Sequence, residues 1–122
     1  MIARPRVLLA DDYPAIATAI ERLLSIDCEV VGVVADGRAL IESATRLRPD
    51  VIVIDLNMPN VNGLDACRQI TQADPRVKVI VLTGVADADI RQHAFAAGAC
   101  AFIAKHALAG ELLTAIEKAA FG

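Results

Sequence analysis

Aromatic residues are scarce in this chain, which has no tryptophan, one tyrosine and three phenylalanines among 122 residues. Proteins that stack nucleic-acid bases need several aromatic rings. Basic residues are not in excess either, because the formal net charge is −3. Together these shortages argue against direct binding of DNA or RNA by this segment. The core is expected to be aliphatic, since hydrophobic residues make up 56% of the chain.

Long apolar segments are also lacking. The longest uncharged run, from Gln92 to Ala104, is too short to span a bilayer, and no signal peptide is visible. Three cysteines without a C-x-x-C pair are expected to be buried or half-buried thiols in a reducing cytosol; they are Cys28, Cys67 and Cys100. The sequence therefore predicts a cytoplasmic protein without a membrane segment, folded as one domain over residues 1–122.

Strand and helix patterns alternate along the whole chain. Apolar runs predict strands at Val7–Ala10, Glu29–Val34, Val51–Ile54, Val77–Leu82 and Cys100–Ile103. Several runs are continuous, as in strands buried on both faces. Strict alternation implies right-handed βαβ units and a parallel sheet. The predicted fold is a three-layer α/β sandwich, flavodoxin-like, with sheet order 2-1-3-4-5. A Rossmann half-domain is weaker, because no G-x-G-x-x-G follows the first strand.

Helix boundaries are marked by particular residues. Pro14 suits the first turn of the first helix, and Asp36 is expected to cap the second helix or to lie in a solvated loop. Asp87 is a candidate N-cap of the fourth helix and Gly98 its stop. That helix is expected to bury one stripe, composed of Ile90, Ala94, Phe95 and Ala97. The last helix begins near Leu108, and Gly110 weakens its first turn.

Polar residues stand at the carboxyl ends of the predicted strands. Asp11 and Asp12 follow the first strand and Asp55 the third, while Thr83 and Lys105 follow the fourth and fifth. In doubly wound sheets, ligands bind outside these ends at the switch point, which lies between strands 1 and 3 in this order. The three carboxylates are therefore expected to converge on one crevice, with the hydroxyl and the ammonium group further along the same edge.

Three clustered carboxylates repel one another unless a cation or a proton intervenes. All-oxygen ligands favour Mg²⁺, with Mn²⁺ as the alternative, over Zn²⁺. Lys105 supplies a point charge for a phosphoryl group and Thr83 a hydrogen bond. Asp55 lies centrally and is the candidate nucleophile that forms an acyl phosphate. Taken singly, each residue also has an ordinary interpretation as a helix cap, a strand-end hydroxyl or a surface charge.

These motifs resemble the receiver domain of two-component response regulators, over essentially the whole chain. The resemblance is carried by the segment from Val7 to Pro14, by Asp55-Leu56-Asn57-Met58-Pro59, by Gly63-Leu64, by Val81-Leu82-Thr83-Gly84, by Gly98-Ala99 and by Phe102-Ile103-Ala104-Lys105. Within the family the chain is most similar to the subgroup with a LuxR/FixJ-type output. Its His106 follows the lysine where proline is common elsewhere in the family, and Tyr13 follows the Asp pair where histidine is frequent in that subgroup.

The resemblance implies a role for each matched position. Asp55 resembles the phospho-acceptor, Asp12 the direct Mg²⁺ ligand and Asp11 an acidic partner acting largely through water. The backbone carbonyl of Asn57 resembles the third protein ligand of the metal. The remaining positions resemble the switch hydroxyl, the phosphate-pairing lysine and the aromatic switch, namely Thr83, Lys105 and Phe102.

The same resemblance implies a function in signal transduction. The phosphoryl group would come from a histidine kinase or a phosphotransfer protein, and the helix 4–strand 5–helix 5 face would then switch. The chain would catalyse its own phosphorylation and dephosphorylation without being a classical enzyme. Homodimerisation on phosphorylation and transcriptional control through a DNA-binding domain outside these residues are further expectations.

Four alternatives remain at this point. A stand-alone receiver would act by protein–protein contact. A receiver-like interaction module would never take phosphate, which the intact acceptor, metal, Thr and Lys positions disfavour. A haloacid-dehalogenase-like phosphatase also uses an Asp nucleophile and Mg²⁺, but Asp55-Leu56-Asn57 lacks its second Asp. A flavodoxin-type carrier would need a phosphate loop rich in Ser and Thr and more aromatic residues than this chain has.

Overall fold

A computed structural model of the chain describes residues 4–56, 58, 62–84 and 87–121. The described residues form one five-stranded sheet in the order β2-β1-β3-β4-β5, with every neighbouring pair parallel. The strands are β1 (Arg6–Ala10), β2 (Glu29–Val34), β3 (Val51–Asp55), β4 (Lys78–Thr83) and β5 (Ala101–Ala104). The predicted topology is confirmed. Every strand end lies within one residue of its predicted position.

Five helices cover the sheet on both faces. They are α1 (Pro14–Leu24), α2 (Gly37–Leu47), α3 (Gly63–Ala73), α4 (Ala88–Ala96) and α5 (Leu108–Phe121), the last preceded by a 3₁₀ turn at Lys105–Ala107. Helices α1 and α5 pack on one face of the sheet, and α2, α3 and α4 pack on the other. The central strands β1 and β3 are buried on both faces, which explains their continuous apolar runs.

Aliphatic side chains fill both layers of the core. The largest buried ones include Leu8, Leu9, Ile52, Ile54 and Leu112. Each fully buried residue of this size contributes roughly 1.5–3 kcal/mol relative to an exposed one. This packing holds the strand ends rigidly, and those ends carry the polar residues of interest.

Three helices begin with a side-chain cap. Asp36 Oδ1 accepts a hydrogen bond from the amide of Ala39 at 2.8 Å, and Asp87 Oδ1 accepts one from the amide of Asp89 at 2.7 Å. Both acidic caps were predicted from the sequence. Asn62, which caps α3 through the amide of Leu64, was not.

Two burial expectations are wrong. Phe95 is 40% exposed and lies under the guanidinium of Arg91, whose Cζ is 5.3 Å from the ring centroid. A cation–π contact on the surface therefore replaces the expected core contact. Cys100 is exposed, whereas Cys28 and Cys67 are buried, and all three are free thiols. Cys100 precedes β5 at the edge of the sheet, where no strand covers its outer side.

Candidate functional site

Strand pairing brings Asp11 and Asp55 together. Ala10 on β1 pairs with Ile54 on β3, so Asp11, just after β1, and Asp55, the last residue of β3, lie at the same level of the sheet. Both side chains are buried, with exposed fractions of 3% for Asp11 and 2% for Asp55. Two acidic groups therefore meet at the switch point between β1 and β3, as the sequence predicted.

The neighbouring strands add a hydroxyl and an ammonium group to the same edge. Asp55 pairs with Leu82 on β4, and Thr83, the last residue of β4, pairs with Ala104 on β5. Thr83 is 3% exposed. Lys105 comes directly after Ala104, and its Nζ lies 2.9 Å from Oδ2 of Asp55. The parallel register thus places the sequence-predicted Thr and Lys beside the buried carboxylate.

Asp11, Asp12 and Asp55 each offer a carboxylate oxygen to one small volume. These oxygens all lie within 4.8 Å of one another. Among the described residues, this is the one cluster of three or more His, Cys, Asp or Glu side chains that is close enough to hold a metal ion. Opposite ligands of an octahedral Mg²⁺ are about 4.2 Å apart. A small contraction of the three carboxylates would therefore bring them to coordinating distance.

The pKa of Asp11 reflects both its burial and the neighbouring carboxylates of this cluster. Burial raises the pKa of Asp11 above its ordinary value, a hydrogen bond from the amide of Tyr13 lowers it, and the charge of Asp55 raises it again. The Tyr13 amide nitrogen lies 2.9 Å from Oδ1 of Asp11. Within the part of the chain that the structure describes, Oδ2 of Asp11 is buried without a hydrogen-bond partner. Such an atom costs free energy unless a cation or a proton meets it.

These observations fit a divalent cation with a preference for oxygen. Two of the carboxylates are buried and the third, on Asp12, is exposed, so the cluster is open to solvent on one side. Mg²⁺ keeps several waters and binds through few carboxylates. Oδ2 of Asp11 is buried and accepts no hydrogen bond from the described residues, so it is available as a ligand of such an ion. An acidic cluster that lies wholly on the surface offers no buried oxygen of this kind.

Phe102 lies one strand further along, on the face covered by α2, α3 and α4. It pairs with Val81 in the sheet and packs half-buried against the core of that face. A cavity of about 340 Å³ adjoins its ring, lined among others by Ala88 and Arg91 of α4. The ring therefore has space beside it toward α4.

Of two further residues that the sequence analysis singled out, the structure describes Tyr13 but not Asn57. Asn57, expected to offer its backbone carbonyl to the metal, lies outside the described residues. Tyr13 is 60% exposed and occupies the N-cap position of α1 without a side-chain cap. Its amide donates a hydrogen bond to Oδ1 of Asp11, but no described side chain caps the first-turn amides of α1, so neither Asp11 nor Asp12 is the cap of this helix.

The fold and the site together define a class of protein: doubly wound α/β domains with an acidic pocket, a hydroxyl and a lysine at the carboxyl edge of the sheet. A comparison with family profiles matches residues 7–117 to the response regulator receiver domain. The chain belongs to this family. Receiver domains are signalling domains of two-component systems, generally not classical enzymes, and they bind Mg²⁺ at an acidic pocket.

Individual relatives agree with this assignment. The response regulator GacA of Pseudomonas viridiflava is 34% identical over 114 residues, covering 92% of this chain and 53% of GacA. The chemotaxis protein CheY of Thermotoga maritima is 32% identical over 114 residues, covering 93% of this chain and 95% of CheY. The receiver domain of NarL from Mycobacterium tuberculosis superposes with a TM-score of 0.93 at 27% identity, covering 99% of both chains.

The first curated relatives are longer than this chain, which spans about half of their length. They include transcriptional regulators such as DegU of Brevibacillus brevis, in line with the predicted LuxR-type subgroup. No helix among the described residues is long and apolar enough to cross a membrane. The phosphatase and flavodoxin alternatives give way to the receiver family, whose match covers residues 7–117.

Proposed function

We propose that Asp55 accepts a phosphoryl group and that Asp11, Asp12, Thr83 and Lys105 prepare it to do so. The observation that carries this proposal is the buried Asp55 carboxylate, paired at 2.9 Å with Lys105 and adjoining two further carboxylates. No other described carboxylate combines this burial with a lysine and an acidic pair. Lys105 places a positive charge beside this carboxylate, where the oxygens of an incoming phosphoryl group would need one.

The proposed reaction transfers a phosphoryl group from a histidine nitrogen to a carboxylate oxygen of Asp55. A carboxylate oxygen of Asp55 attacks phosphorus, the P–N bond of a phosphohistidine breaks, and the histidine nitrogen leaves with the electron pair and gains a proton. The product is an acyl phosphate on Asp55. Lys105 and the hydroxyl of Thr83 are placed to neutralise charge on the phosphoryl oxygens. Water reverses the modification by attacking phosphorus, which breaks the P–O bond to Asp55; the Asp55 carboxylate is the leaving group, and inorganic phosphate and a proton are released.

Asp11 and Asp12, together with Asp55 itself and the carbonyl of Asn57, are the proposed ligands of Mg²⁺, or alternatively Mn²⁺. When bound, the ion supplies positive charge that offsets the repulsion between the carboxylates and the incoming phosphoryl group. The exposed position of Asp12 would leave the ion accessible from solvent. The ion would give the buried Oδ2 of Asp11 a partner, which it has from no other described residue.

Phosphorylation would bias the α4–β5–α5 face. It adds nearly two negative charges beside Thr83 and Lys105, and Thr83 is joined by a short connection to α4. A movement of Thr83 toward the phosphoryl group would leave room for Phe102 to turn away from the adjoining cavity. Both conformations exist before phosphorylation, and the modification shifts their populations.

The proposed donor is a histidine kinase or a phosphotransfer protein, and the proposed output is transcriptional control, with homodimerisation on phosphorylation. The relatives named as transcriptional regulators support this output. The alternative is action by protein contact alone. The similarity to CheY, which covers 95% of CheY, supports this alternative.

The cytoplasm is the proposed compartment, since the three free thiols persist in reducing surroundings. Residues 1–122 are proposed to form one domain.

One experiment tests the proposal directly. The protein is incubated with Mg²⁺ and a small phosphodonor such as acetyl phosphate, and its intact mass is measured. A single phosphate adduct that is stable in acid and labile in base is expected, and Asp55→Asn should not form it. Asp74→Asn, at a half-buried position between α3 and β4, is the matched control and should form it normally. The proposal is falsified if Asp55→Asn carries the same adduct.

A further inference from the structure

The carbonyl of Ala97, just beyond the C-terminal end of α4, accepts two hydrogen bonds from α3. Thr71 Oγ1 lies 3.1 Å from this oxygen, and Cys67 Sγ lies 3.4 Å from it. The last carbonyls of a helix have no donor within their own helix, and Ala97 is buried, so water is a poor substitute. Side chains of α3 therefore satisfy a group that α4 cannot satisfy itself.

Gly98 makes this close approach of the two helices feasible. Its φ is 104°, in the left-handed region that favours glycine. A Cβ atom placed there would lie only 2.4 Å from Oγ1 of Thr71. The hydroxyl of Thr71 thus occupies the space that a side chain at this position would need, and the contact depends on both residues.

The Thr71 hydroxyl has one proton and three carbonyl oxygens within reach. Besides Ala97, it lies 2.9 Å from the carbonyl of Cys67 and 3.3 Å from that of Arg68, both in its own helix. If the end of α4 moves away from Thr71, the hydroxyl can donate its proton to a carbonyl of α3 instead. The hydroxyl therefore keeps an acceptor whether or not the two helices separate. The buried carbonyl of Ala97 has no such choice, because loosening the contact would leave it with the weaker thiol donor alone, and this asymmetry favours keeping the end of α4 attached.

The Cys67 thiol provides the second donor to Ala97. Its side chain is fully buried, and burial raises the pKa of Cys67 to about 11. The sulfur therefore keeps its proton at neutral pH and remains a donor. A thiol is a weak donor, so the hydroxyl of Thr71 is the stronger of the two contacts.

The opposite end of α4 is held much less. Ala94 is the buried residue of this helix, and Ala97 and Ala99 beyond its C-terminal end are buried as well. At the N-terminal end, Asp87, Ala88 and Asp89 are exposed. The helix is thus anchored near its C-terminal end, while its N-terminal end lies on the side of Thr83.

We propose that Thr71, assisted by Cys67, is a positioning residue that forms the pivot of α4. The C-terminal end of the helix stays attached to α3, and the N-terminal end swings in response to the phosphoryl group on Asp55. This inference rests on the proposed function for the signal that drives the swing. The pivot itself exists in the unmodified protein and is testable there.

The first test compares hydrogen exchange at the end of α4 in the unmodified protein. The amides of Ala97, Gly98 and Ala99 bond to carbonyls within the helix and report its opening. Thr71→Val removes the hydroxyl at nearly constant volume, and their exchange should become about two- to tenfold faster. Thr71→Ser keeps the hydroxyl and should restore the original rate.

Thr45→Val is the matched control for the loss of a local bond. Thr45 Oγ1 lies 3.2 Å from the carbonyl of Ile41 in its own helix α2, and no described residue of another helix shares that hydroxyl. This variant should leave exchange at Ala97, Gly98 and Ala99 unchanged. Thr71→Ala, which also lacks the hydroxyl, serves as the second test variant if Thr71→Val does not fold.

The second test adds beryllofluoride and Mg²⁺, which mimic a phosphoryl group on Asp55. In the parent protein, exchange should change in the N-terminal half of α4 and stay constant at its C-terminal end. In Thr71→Val the change should extend to the C-terminal end. Equal exchange in Thr71→Val, Thr71→Ser and the parent protein would overturn the pivot, whereas absence of an Asp55 adduct would overturn only the proposed function.

Discussion

Lys105 Nζ and Asp55 Oδ2 lie 2.9 Å apart across the carboxyl edge of the sheet, and they come from strands separated by β4. The carboxylate is 2% exposed and the lysine 29%. The partly exposed lysine therefore reaches into the core to meet a buried acid. A phosphoryl group on Asp55 would take over this ammonium group as its partner, because the acyl phosphate carries its negative charge on the phosphoryl oxygens.

Replacing this lysine should slow phosphorylation without abolishing it. In Lys105→Met the phosphoryl oxygens lose one cationic partner, and adduct formation from acetyl phosphate should slow by on the order of 10²-fold. The measurement is the time course of the intact mass at saturating Mg²⁺. Lys118→Met, on the exposed side of α5, should react like the parent protein. A normal rate in Lys105→Met would remove this lysine from the proposed mechanism.

The acidic cluster should lower stability at neutral pH when no cation is present. Burial raises the pKa of Asp11 above 3.8, so the native state binds this proton more tightly than the unfolded state does. Below the unfolded pKa both states are protonated and nothing is lost. As pH rises through the raised native pKa, the free energy of unfolding falls.

Asp11→Asn isolates this effect, because an amide keeps an oxygen for the Tyr13 amide and does not ionise. With a chelator at neutral pH, Asp11→Asn should melt a few degrees above the parent protein, and the difference should vanish in acid. Excess Mg²⁺ should reverse the order, since the parent protein gains binding free energy. The measurement is thermal unfolding by circular dichroism. A parent protein that melts higher than Asp11→Asn in chelator at neutral pH would contradict the prediction.

Two glycines should respond oppositely to alanine. Gly98→Ala requires a positive φ and places Cβ 2.4 Å from Thr71 Oγ1, so it should destabilise the fold by more than about 1 kcal/mol. Gly110 lies in α5, and an added Cβ would meet no described atom within 4 Å beyond the adjacent residues and the backbone of its own helix. Gly110→Ala should stabilise the fold by about 0.5–1 kcal/mol. Urea unfolding measures both, and similar shifts in the same direction would refute the contrast.

Loss of a helix cap should affect stability and leave the site intact. Asp36 accepts from the amide of Ala39 at the start of α2. Asp36→Ala should cost about 1 kcal/mol of stability, measured by urea unfolding, while the rate of adduct formation stays unchanged. Asp36→Asn, which can still accept the bond, should recover most of the loss. A slowed reaction in Asp36→Ala would instead tie α2 to the site.

Much of the fold follows from local patterns. Continuous runs such as Val51–Ile54 indicated a strand covered on both faces, and the alternation with helices left few topologies open. The positions of Asp11, Asp55 and Thr83 at strand ends followed in turn, because parallel strands bring their carboxyl ends to one edge. Asp87 and Gly98 marked the limits of α4 by their own chemistry.

Other features depend on neighbours that are remote in sequence. Phe95 matched the apolar stripe of α4, but only the packed molecule shows it outside the core, under Arg91. Cys100, expected to be at least half-buried, is exposed just before the edge strand β5. The link from Thr71 to Ala97 joins two helices whose separation no periodicity reveals.

The sequence by itself determined the order of the elements, the family, and the residue types at the edge of the sheet, because strand and helix periodicity and short motifs are local properties. The tertiary structure decided which atoms of those residues meet. It left Oδ2 of Asp11 buried without a hydrogen-bond partner among the described residues, brought Lys105 to Asp55 and attached the end of α4 to α3. These outcomes depend on sheet register and on helix packing, which join residues far apart in the chain.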